Sequence, residues 1–457
     1  MHDHAVVLGA SIAGLVAATV LAERFALVTV VERDQLPDSP IDRRGVPQGR
    51  HLHSLLSRGS QLMEELHPGF LADLVEAGAP VLDDPDMHRI YSRIGPYTFN
   101  RTDSAADPAA LATYLASRPF LEYHLRRRVA ALPNVDFLDG HDVGELVSKQ
   151  PHRITGVTVN ARDSARSQTL TADLIIDATG RATRTPLLLE RLGFPRPAEQ
   201  TFTADGIYHS QQIEIPDQDS FPERMILVLP EGKAQRGGLI ACENNTWMLT
   251  IASRNGYLAH APTNFADMLT LAQDFIPPRI HTALHGAQPL TEVQTYRYPG
   301  GTWRRYDDLA EHPDGLLVLG DALCSLDPIN GQGMTLATLH ATTLRNELCR
   351  TNHIDPQAFY AAVAAITKPV WASNAQQQSD GDNTSSSPLA RRVAAWTRRK
   401  ILESAADDMI VTERLMRVAN FIDPPQSLIA PGFLARVTAI HIKRRLTGRR
   451  NTPVAQH

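Results

Sequence analysis

The first 32 residues place the strongest constraint on the fold of this chain. An apolar segment from Ala5 to Leu8 reads as a short buried strand and runs directly into GASIAGLVAATVLAE, which has the composition of a helix. Gly9 and Gly14 hold the first and third glycine positions of a dinucleotide-binding turn, and Ser11 replaces the second. We therefore predict a strand, a tight turn and a helix whose N-terminus faces a phosphate.

A second predicted strand supports the same ligand. It runs from Leu27 to Val31 and ends in Glu32, which follows Gly9 by 23 residues, close to the interval of about 20 residues expected for a ribose-binding acid. A carboxylate there suits a free 2′-hydroxyl and disfavours a 2′-phosphate, because like charges would meet. For the glycine pattern alone, the alternative is a small-residue helix start that binds nothing.

A third motif lies near residue 320. The apolar run from Leu316 to Leu319 predicts a buried strand, and GDALCSLDPINGQGM follows it. Asp321 then stands where the strand ends, and Gly331 and Gly333 precede a helix predicted to begin near Met334. The N–H groups at such a helix start favour an anionic or electron-rich group.

Composition excludes several classes of protein. With 457 residues, of which 43% are hydrophobic and 21% charged, the chain has the composition of a soluble globular protein of two or three domains. A net charge of -5 gives no electrostatic reason to expect nucleic-acid binding. The three cysteines lack CxxC spacing, which predicts neither a disulfide framework nor a metal site. Without an apolar run of about 18 residues or a signal peptide, we expect a cytoplasmic protein.

Four motifs between residue 5 and about residue 350 resemble those of FAD-dependent monooxygenases related to aromatic-ring hydroxylases and squalene epoxidase. Besides the first and third motifs, they include RRGVPQGRHLH from Arg43 to His53 and DLIIDATGRATRTP from Asp173 to Pro186. The run Val-Pro-Gln-x-Arg-His-x-His is similar to that of bacterial epoxidases and hydroxylases of polyketide and terpenoid natural products. In the Asp173 motif, Ala-Thr-Gly stands where many aromatic hydroxylases have Asp-Gly, which weakens a nicotinamide-contacting role there.

The resemblance implies an α/β fold with a discontinuous Rossmann-like FAD-binding domain, an antiparallel-sheet substrate domain and a helical C-terminal region. The implied boundaries are residues 1–100, 101–200 and 303–350 for the three parts of the FAD-binding domain, 201–302 for the substrate domain, and 351–457 for the C-terminal region. Alternating segments between residues 205 and 253 independently predict the antiparallel sheet. Tyr208, Ser210 and Gln212 share one side of it and are our candidate substrate contacts, although alternation does not decide which side faces a substrate.

The resemblance also implies non-covalent FAD. Arg44 matches the arginine at the pyrophosphate, Val46 lies along the flavin edge, Arg118 reaches towards the flavin, and Asp321 accepts a hydrogen bond from the ribityl chain. The full set of implied FAD contacts is Gly9, Ser11, Ala13, Gly14, Glu32, Arg33, Arg44, Val46, Arg118, Val143, Asp321, Pro328, Gly331, Gly333 and Met334. The alternative for Arg43 and Arg44 is a pair of exposed charges in a loop.

The implied reaction begins with reduction of FAD by NADPH or NADH. O₂ then adds at flavin C4a, and the hydroperoxide transfers one oxygen atom to a small-molecule substrate, a largely apolar natural product. His51 and His53 are candidates for proton transfer, with hydrogen-bonded structural histidines as the alternative. No residue stands out as a base for a phenol, which favours epoxidation over hydroxylation.

Three other functions share this cofactor fold. A flavin-dependent halogenase would carry a Trp-x-Trp-x-Ile-Pro signature, which is absent from this sequence. A flavin-dependent prenyl or olefin reductase would consume no oxygen. A flavin-binding sensor would need an output domain, and nothing in the sequence supplies one.

Two C-terminal segments have open interpretations. The polar stretch from Gln376 to Pro388 is either a lid or a plain solvent loop. Residues 432–450 predict a basic amphipathic helix, which either rests on an anionic membrane or docks on its own domain with a solvated basic end. The sequence leaves the oligomeric state open.

Overall fold

The computed structural model describes residues 2–149, 152–217, 220–229, 235–350, 354–378 and 388–447. The strands in these residues are, in chain order, β1 (His2–Leu8), β2 (Phe25–Val31), β3 (Val81–Leu82), β4 (Ile90–Ile94), β5 (Tyr97–Thr98), β6 (Thr113–Tyr114), β7 (Val135–Leu138), β8 (His141–Val147), β9 (Gly156–Ala161), β10 (Ser167–Thr171), β11 (Leu174–Asp177), β12 (Ala198–Glu214), β13 (Met225–Leu229), β14 (Gln235–Ala241), β15 (Thr246–Arg254), β16 (Gln288–Pro289), β17 (Gln294–Arg305), β18 (Leu316–Val318) and β19 (Cys324–Ser325). The helices are α1 (Ile12–Ala22), α2 (Ser57–Leu66), α3 (Phe70–Glu76), α4 (Arg118–Ala130), α5 (Thr185–Arg191), α6 (Phe265–Ala272), α7 (Pro278–Leu284), α8 (Gly333–Arg350), α9 (Pro356–Gln378), α10 (Pro388–Ala405), α11 (Met409–Ala419) and α12 (Pro431–Thr447).

A five-stranded parallel sheet forms the centre of the molecule, in the order β18-β11-β1-β2-β7. Its strands are short apolar runs because both faces are buried, as in β1, where Ala5 to Leu8 are at most 1% exposed. The sheet takes strands from residues as far apart as 2 and 318, which confirms the predicted discontinuous α/β fold. The carboxyl ends of β1, β2 and β18 share one edge, where Gly9, Glu32 and Asp321 follow their strands.

A second, larger sheet has the order β19-β17-β12-β15-β14-β13-β4-β5, with β16 paired to β12. β12 is antiparallel to both β15 and β17, and β14 is antiparallel to β13 and β15. These pairings confirm the antiparallel sheet predicted between residues 205 and 253. The structure adds β4, which pairs in parallel with β13 although it comes from residues 90–94, within the range expected for the first part of the FAD-binding domain.

Two smaller sheets complete the pairing in the described ranges: β10-β9-β8 and β3-β6. The main apolar core surrounds the parallel sheet and packs it against α1, α4, α8 and α9. A separate core joins the larger sheet to α6 and α7.

The C-terminal helices α10, α11 and α12 pack around a small core that contains Phe433 and Val437 of α12. Two basic residues of α12 are ion-paired with neighbouring acids, Arg436 with Asp408 at 2.8 Å and Arg444 with Asp407 at 2.5 Å. These contacts favour the docked alternative for this helix. No helix in the described ranges is long and apolar enough to cross a bilayer. Most of the polar stretch from Gln376 to Pro388 lies outside the described residues.

Candidate cofactor site and cavity

The turn between β1 and α1 requires its two glycines. Gly9 has a φ of +101°, and a Cβ on it would lie 2.6 Å from the carbonyl oxygen of Ala178. A Cβ on Gly14 would lie 1.8 Å from the carbonyl oxygen of Gly9. Ser11 precedes α1 without making a side-chain cap, and its hydroxyl instead accepts a hydrogen bond from Arg118 Nη2 at 2.7 Å. The first N–H groups of α1 therefore need partners from outside the helix.

A buried arginine joins three carboxylates beside this turn. Arg43 is 3.3 Å from Glu32, 3.4 Å from Asp34 and 2.5 Å from Glu122. Glu32 also accepts hydrogen bonds from the N–H groups of Ala10 and Asp34, at 2.8 and 3.0 Å. Burial by itself lowers the pKa of Arg43, but the carboxylates outweigh burial and raise it. The cluster fixes Glu32 beside the start of α1.

The structure separates the two adjacent arginines. Arg43 is 6% exposed, so the alternative of two exposed charges is wrong for this residue. Arg44 is exposed in the same loop, and its guanidinium can therefore reach an anion that approaches from outside. Val46 is buried and precedes the turn from Pro47 to Arg50.

A second cluster forms where α4 meets the end of β18. Arg118 is 4% exposed and lies 3.0 Å from Glu122. Burial lowers the pKa of Arg118 and raises that of Asp321, while the positive charges of Arg118 and Arg181 act in the opposite direction on Asp321. Among the residues that the structure describes, no group donates a hydrogen bond to the Asp321 carboxylate. Asp321 is half-buried, and a carboxylate acceptor without a protein donor fits a hydroxyl donor from a ligand.

The segment that begins at Gly320 and leads into α8 lies against the start of α1. A Cβ on Gly320, which has a φ of +57°, would lie 2.7 Å from the Cβ of Ala13, so the two motifs are in close contact. Gly331 has a φ of +62°, and a Cβ on Gly333 would approach the Asp321 carboxylate no closer than 3.8 Å. Met334 is buried in the first turn of α8. The backbone beside these glycines is therefore accessible to a flat ligand.

These residues fit FAD. The α1 N-terminus can accept the phosphates, Arg44 can neutralise them, and the unpaired acceptor Asp321 suits a ribityl hydroxyl. Two predicted contacts lie elsewhere. The Arg33 side chain is exposed while its carbonyl accepts a bond from Arg162, and Val143 of β8 packs against the main core. Neither side chain belongs to the two clusters.

A cavity of about 1560 Å³ adjoins the segment before α8. Its floor comes from β4, β13, β14 and the segment around His51, and its roof comes from α9, α10, α11 and the chain that follows α11. Most lining side chains are apolar. They include Leu52, Leu56, Ile90, Ile94, Phe99, Met225, Leu227, Leu229, Ile240, Ile366, Val370, Ile401, Leu402, Leu415, Phe421 and Leu428. Such a chamber can enclose a large apolar molecule.

Both candidate histidines line the cavity and are hydrogen-bonded within the protein. His51 Nδ1 and Ser210 Oγ are 2.8 Å apart, and Ser210 Oγ is 2.6 Å from Thr250 Oγ1. His53 Nδ1 is 2.9 Å from the carbonyl oxygen of His51. Burial lowers the pKa of His51 to about 3 and that of His53 to about 4, with neighbouring positive charges adding to the effect. Both rings are neutral at pH 7 and are weak bases.

The three candidate substrate contacts have different surroundings. Tyr208 lines the cavity, and its hydroxyl donates to Asp327 at 2.5 Å. Ser210 is fully buried behind His51. Gln212 bonds to Thr246 and is not among the lining residues. The structure thus brings only Tyr208 of the three to the cavity surface.

Several site residues escaped sequence reasoning. Arg43, Glu122 and Arg181 carry charges that local patterns cannot distinguish from solvated ones. The roof residues of α9, α10 and α11 follow an amphipathic pattern that would equally serve an ordinary core. Asp327 has a usable sequence signal, because it directly precedes Pro328 within the motif that begins at Gly320.

Comparison with known proteins gives consistent results. The model of a family described as FAD binding domain matches residues 3–351 of this chain. Protein Rv3254 of Mycobacterium tuberculosis is 36% identical over 453 residues, which cover 96% of this chain and 94% of the relative. Kynurenine 3-monooxygenase of Salinispora tropica is 26% identical over 384 residues, which cover 80% of this chain and 77% of the relative.

Solved structures share the fold at lower identity. A flavoprotein/dehydrogenase from Cytophaga hutchinsonii superposes with a TM-score of 0.70 and 17% identity, covering 96% of this chain and 100% of that one. The myxobacterial chondrochloren halogenase CndH superposes with a TM-score of 0.62 and 17% identity, covering 92% and 97%. At these identities the likeness shows the fold alone.

Proposed function

This chain belongs to the FAD-dependent monooxygenases of the FAD binding domain family, and from that premise we propose that it adds one oxygen atom from O₂ to a large, largely apolar natural product. The electrons come from NADPH or NADH. Epoxidation of an olefin is the reaction that we favour, ahead of aromatic hydroxylation.

The apolar cavity is the observation that carries this proposal. Its volume of about 1560 Å³ exceeds the roughly 300–1,000 Å³ of common ligand pockets and leaves room for a flavin ring together with a large substrate. Asp423 and Arg398 are the carboxylate and the guanidinium among its lining residues. Asp423 is paired with Arg417 at 3.1 Å, and Arg398 lies exposed on α10. Because no buried charge is left to pair with a charged substrate, the walls suit a neutral, apolar one.

The chain's own residues would hold the cofactor. The N-terminus of α1, with Ser11 and Arg44, would bind the phosphates, Glu32 the ribose, and Asp321 the ribityl chain. The start of α8 at Gly333 would stabilise negative charge on a reduced ring through its N–H groups and its dipole. When bound and reduced, FAD supplies the activation of O₂.

The histidines favour epoxidation. A general base works best when its pKa lies near the working pH, whereas the pKa values of His51 and His53 are lowered to about 3 and about 4. Such weak bases are poorly suited to deprotonate a phenol, which has a pKa of about 10. Oxygen transfer to a double bond needs no base. The neutral rings then position the substrate and keep the floor of the cavity free of charge.

The roof has a separate task. Apolar residues of α9, α10 and α11 line the cavity away from the larger sheet, with Leu389 and Val393 of α10 at its solvent-exposed end. We infer that this lining limits the access of water to the reacting atoms, since water promotes the loss of activated oxygen as hydrogen peroxide. The roof therefore links substrate enclosure to efficient use of NAD(P)H.

Substrate-dependent NAD(P)H oxidation tests the proposal. The purified protein is supplied with FAD and a panel of polyenes, terpenoids and phenols, while O₂ uptake, hydrogen peroxide and product mass are recorded. We expect polyenes or terpenoids to gain one oxygen atom. Loss of a double bond without O₂ uptake would indicate a reductase, and incorporation of bromide or chloride would indicate a halogenase. Turnover confined to phenols would move hydroxylation ahead of epoxidation.

A further inference from the structure

The segment from Asp327 to Gln332, which we call the cavity turn, leads directly into α8. Residues 328–332 line the cavity. Pro328–Asn330 form a short 3-10 turn that Asp327 caps by accepting a hydrogen bond from the Ile329 N–H at 3.1 Å, and Gly331 follows in the left-handed region. A short turn with so few internal bonds must be held by contacts from outside.

One such contact comes from the larger sheet. Tyr208 of β12 is buried, and its hydroxyl donates to Asp327 Oδ1 at 2.5 Å. Burial, reinforced by the negative charge of Asp327, raises the pKa of Tyr208 well above its usual value. The phenol therefore remains a donor at physiological pH, and it fixes the first residue of the cavity turn.

A second set of contacts comes from one side chain of α9. Asn374 is 1% exposed. Its Oδ1 accepts hydrogen bonds from the Asp327 N–H at 3.3 Å and from Asn330 Nδ2 at 2.9 Å. Its Nδ2 donates to Gln332 Oε1 at 2.8 Å and to the Val370 carbonyl at 2.9 Å. One amide thus meets three residues of the cavity turn and uses its full hydrogen-bonding capacity.

The stretch of α9 around Asn374 also borders the cavity. Pro369, Val370 and Ser373 line it. Pro369 lies inside α9 and lacks an N–H, so the helix loses one of its backbone hydrogen bonds little more than one turn before Asn374. The helix that covers the substrate space is therefore locally weakened where it meets the cavity turn.

We propose that Asn374 is a positioning residue that sets the cavity turn, and hence the start of α8, in place for the flavin. Tyr208 holds the same turn from the opposite side. The proposal rests on FAD binding by this family and is independent of which substrate is oxygenated. It assigns a role to a residue in the C-terminal region, outside the residues 3–351 that match the family model.

Replacement of Asn374 tests the proposal on the full chain. Asn374→Leu keeps the approximate volume and removes all four hydrogen bonds, and Tyr208→Phe removes one bond from the larger sheet. Lys368→Ala is the control on the same helix, because Lys368 is exposed and does not line the cavity. FAD affinity is measured by titrating apoprotein and following flavin fluorescence. The visible spectrum and midpoint potential of the bound flavin are then compared.

We expect Asn374→Leu to weaken FAD binding about tenfold, because buried donors and acceptors lose their partners, and Tyr208→Phe to weaken it about fivefold. Both variants should shift the midpoint potential to more negative values, since a misplaced helix start stabilises the reduced flavin less. Lys368→Ala should match the wild type in both measurements.

An unchanged potential in both variants would overturn the positioning role, even if thermal stability fell, because a general loss of stability does not act on the flavin. If Asn374→Leu does not fold, Tyr208→Phe decides alone by the same criteria. Failure of the wild-type chain to bind FAD would instead contradict the proposed function, and the two failures are thereby distinguished.

Discussion

Arg43 offers a sharp test of the buried charge cluster, because the adjacent Arg44 provides a control of identical chemistry. Arg43→Met removes the charge that lies 3.3 Å from Glu32, 3.4 Å from Asp34 and 2.5 Å from Glu122. Its side chain is 4% exposed and the carboxylates are 6 to 9% exposed, so solvent cannot replace the lost partner. Removing one partner of a buried ion pair typically costs about 3–5 kcal/mol.

We therefore expect the free energy of unfolding of Arg43→Met apoprotein to fall by about 3–5 kcal/mol, measured from urea denaturation followed by circular dichroism. Arg44→Met should change it by less than about 0.5 kcal/mol, as is usual for an exposed site. For FAD binding the second variant should still matter, with a loss of about 1.5–3 kcal/mol for a charged hydrogen bond to phosphate.

The added substitution Asp34→Asn in the Arg43→Met background removes a charge that has lost its ion partner and should restore part of the stability. Two results would refute the argument. A loss below about 1 kcal/mol for Arg43→Met would show that the carboxylates relax into solvent. Equal destabilisation by Arg43→Met and Arg44→Met would show that burial does not distinguish the two arginines.

Five further predictions concern the cofactor site, the core and the cavity. Asp321→Ala should weaken FAD binding by about 1.5–3 kcal/mol. Acid precipitation of the wild-type protein should release FAD into the supernatant, and flavin retained in the pellet would exclude non-covalent binding. Gly14→Ala should abolish FAD binding, since the new Cβ would lie 1.8 Å from a carbonyl oxygen, whereas Gly432→Ala, with nothing within 4 Å, should retain wild-type flavin content. His340 is fully buried and burial lowers its pKa to about 3. Its contribution to the free energy of unfolding is therefore complete above pH 6.5 and falls by about 1.4 kcal/mol per pH unit below that value. His340→Leu should remove this slope from the acid side of the stability profile, and an unchanged slope would count against a neutral buried ring. His51→Ala should keep a substantial part of coupled turnover if the reaction is epoxidation, and a loss of 10²-fold or more in kcat with FAD still bound would support base catalysis and hydroxylation.

Local patterns predicted the elements of the cofactor domain correctly. The apolar runs at residues 5–8 and 316–319 contain buried strands, because a parallel sheet that is covered on both faces favours apolar side chains. The glycines of the first turn were equally readable, since Gly9 and Gly14 occupy positions where a Cβ would overlap backbone atoms. The alternating strands between residues 205 and 253 also form the predicted antiparallel pairs.

Other features depend on contacts between distant parts of the chain. Sequence could not separate Arg43 from Arg44, because the carboxylates that bury Arg43 include Glu122 from another helix. Sequence also could not show which residues of the sheet reach the cavity. Tyr208, Ser210 and Gln212 share one side of β12, but only Tyr208 of the three lines the cavity. Sequence could not show that His51 and His53 are neutral either, because their lowered pKa values follow from burial by other segments.

The FAD motifs, the parallel sheet and the positions of its turns could be predicted because short segments with strict steric requirements encode them. The lining of the cavity and the contacts that hold its turn depend on the fold. Tyr208 reaches Asp327 across 119 residues and Asn374 reaches it across 47. Periodicity reports which face of an element is apolar, but it does not report which distant segment covers that face.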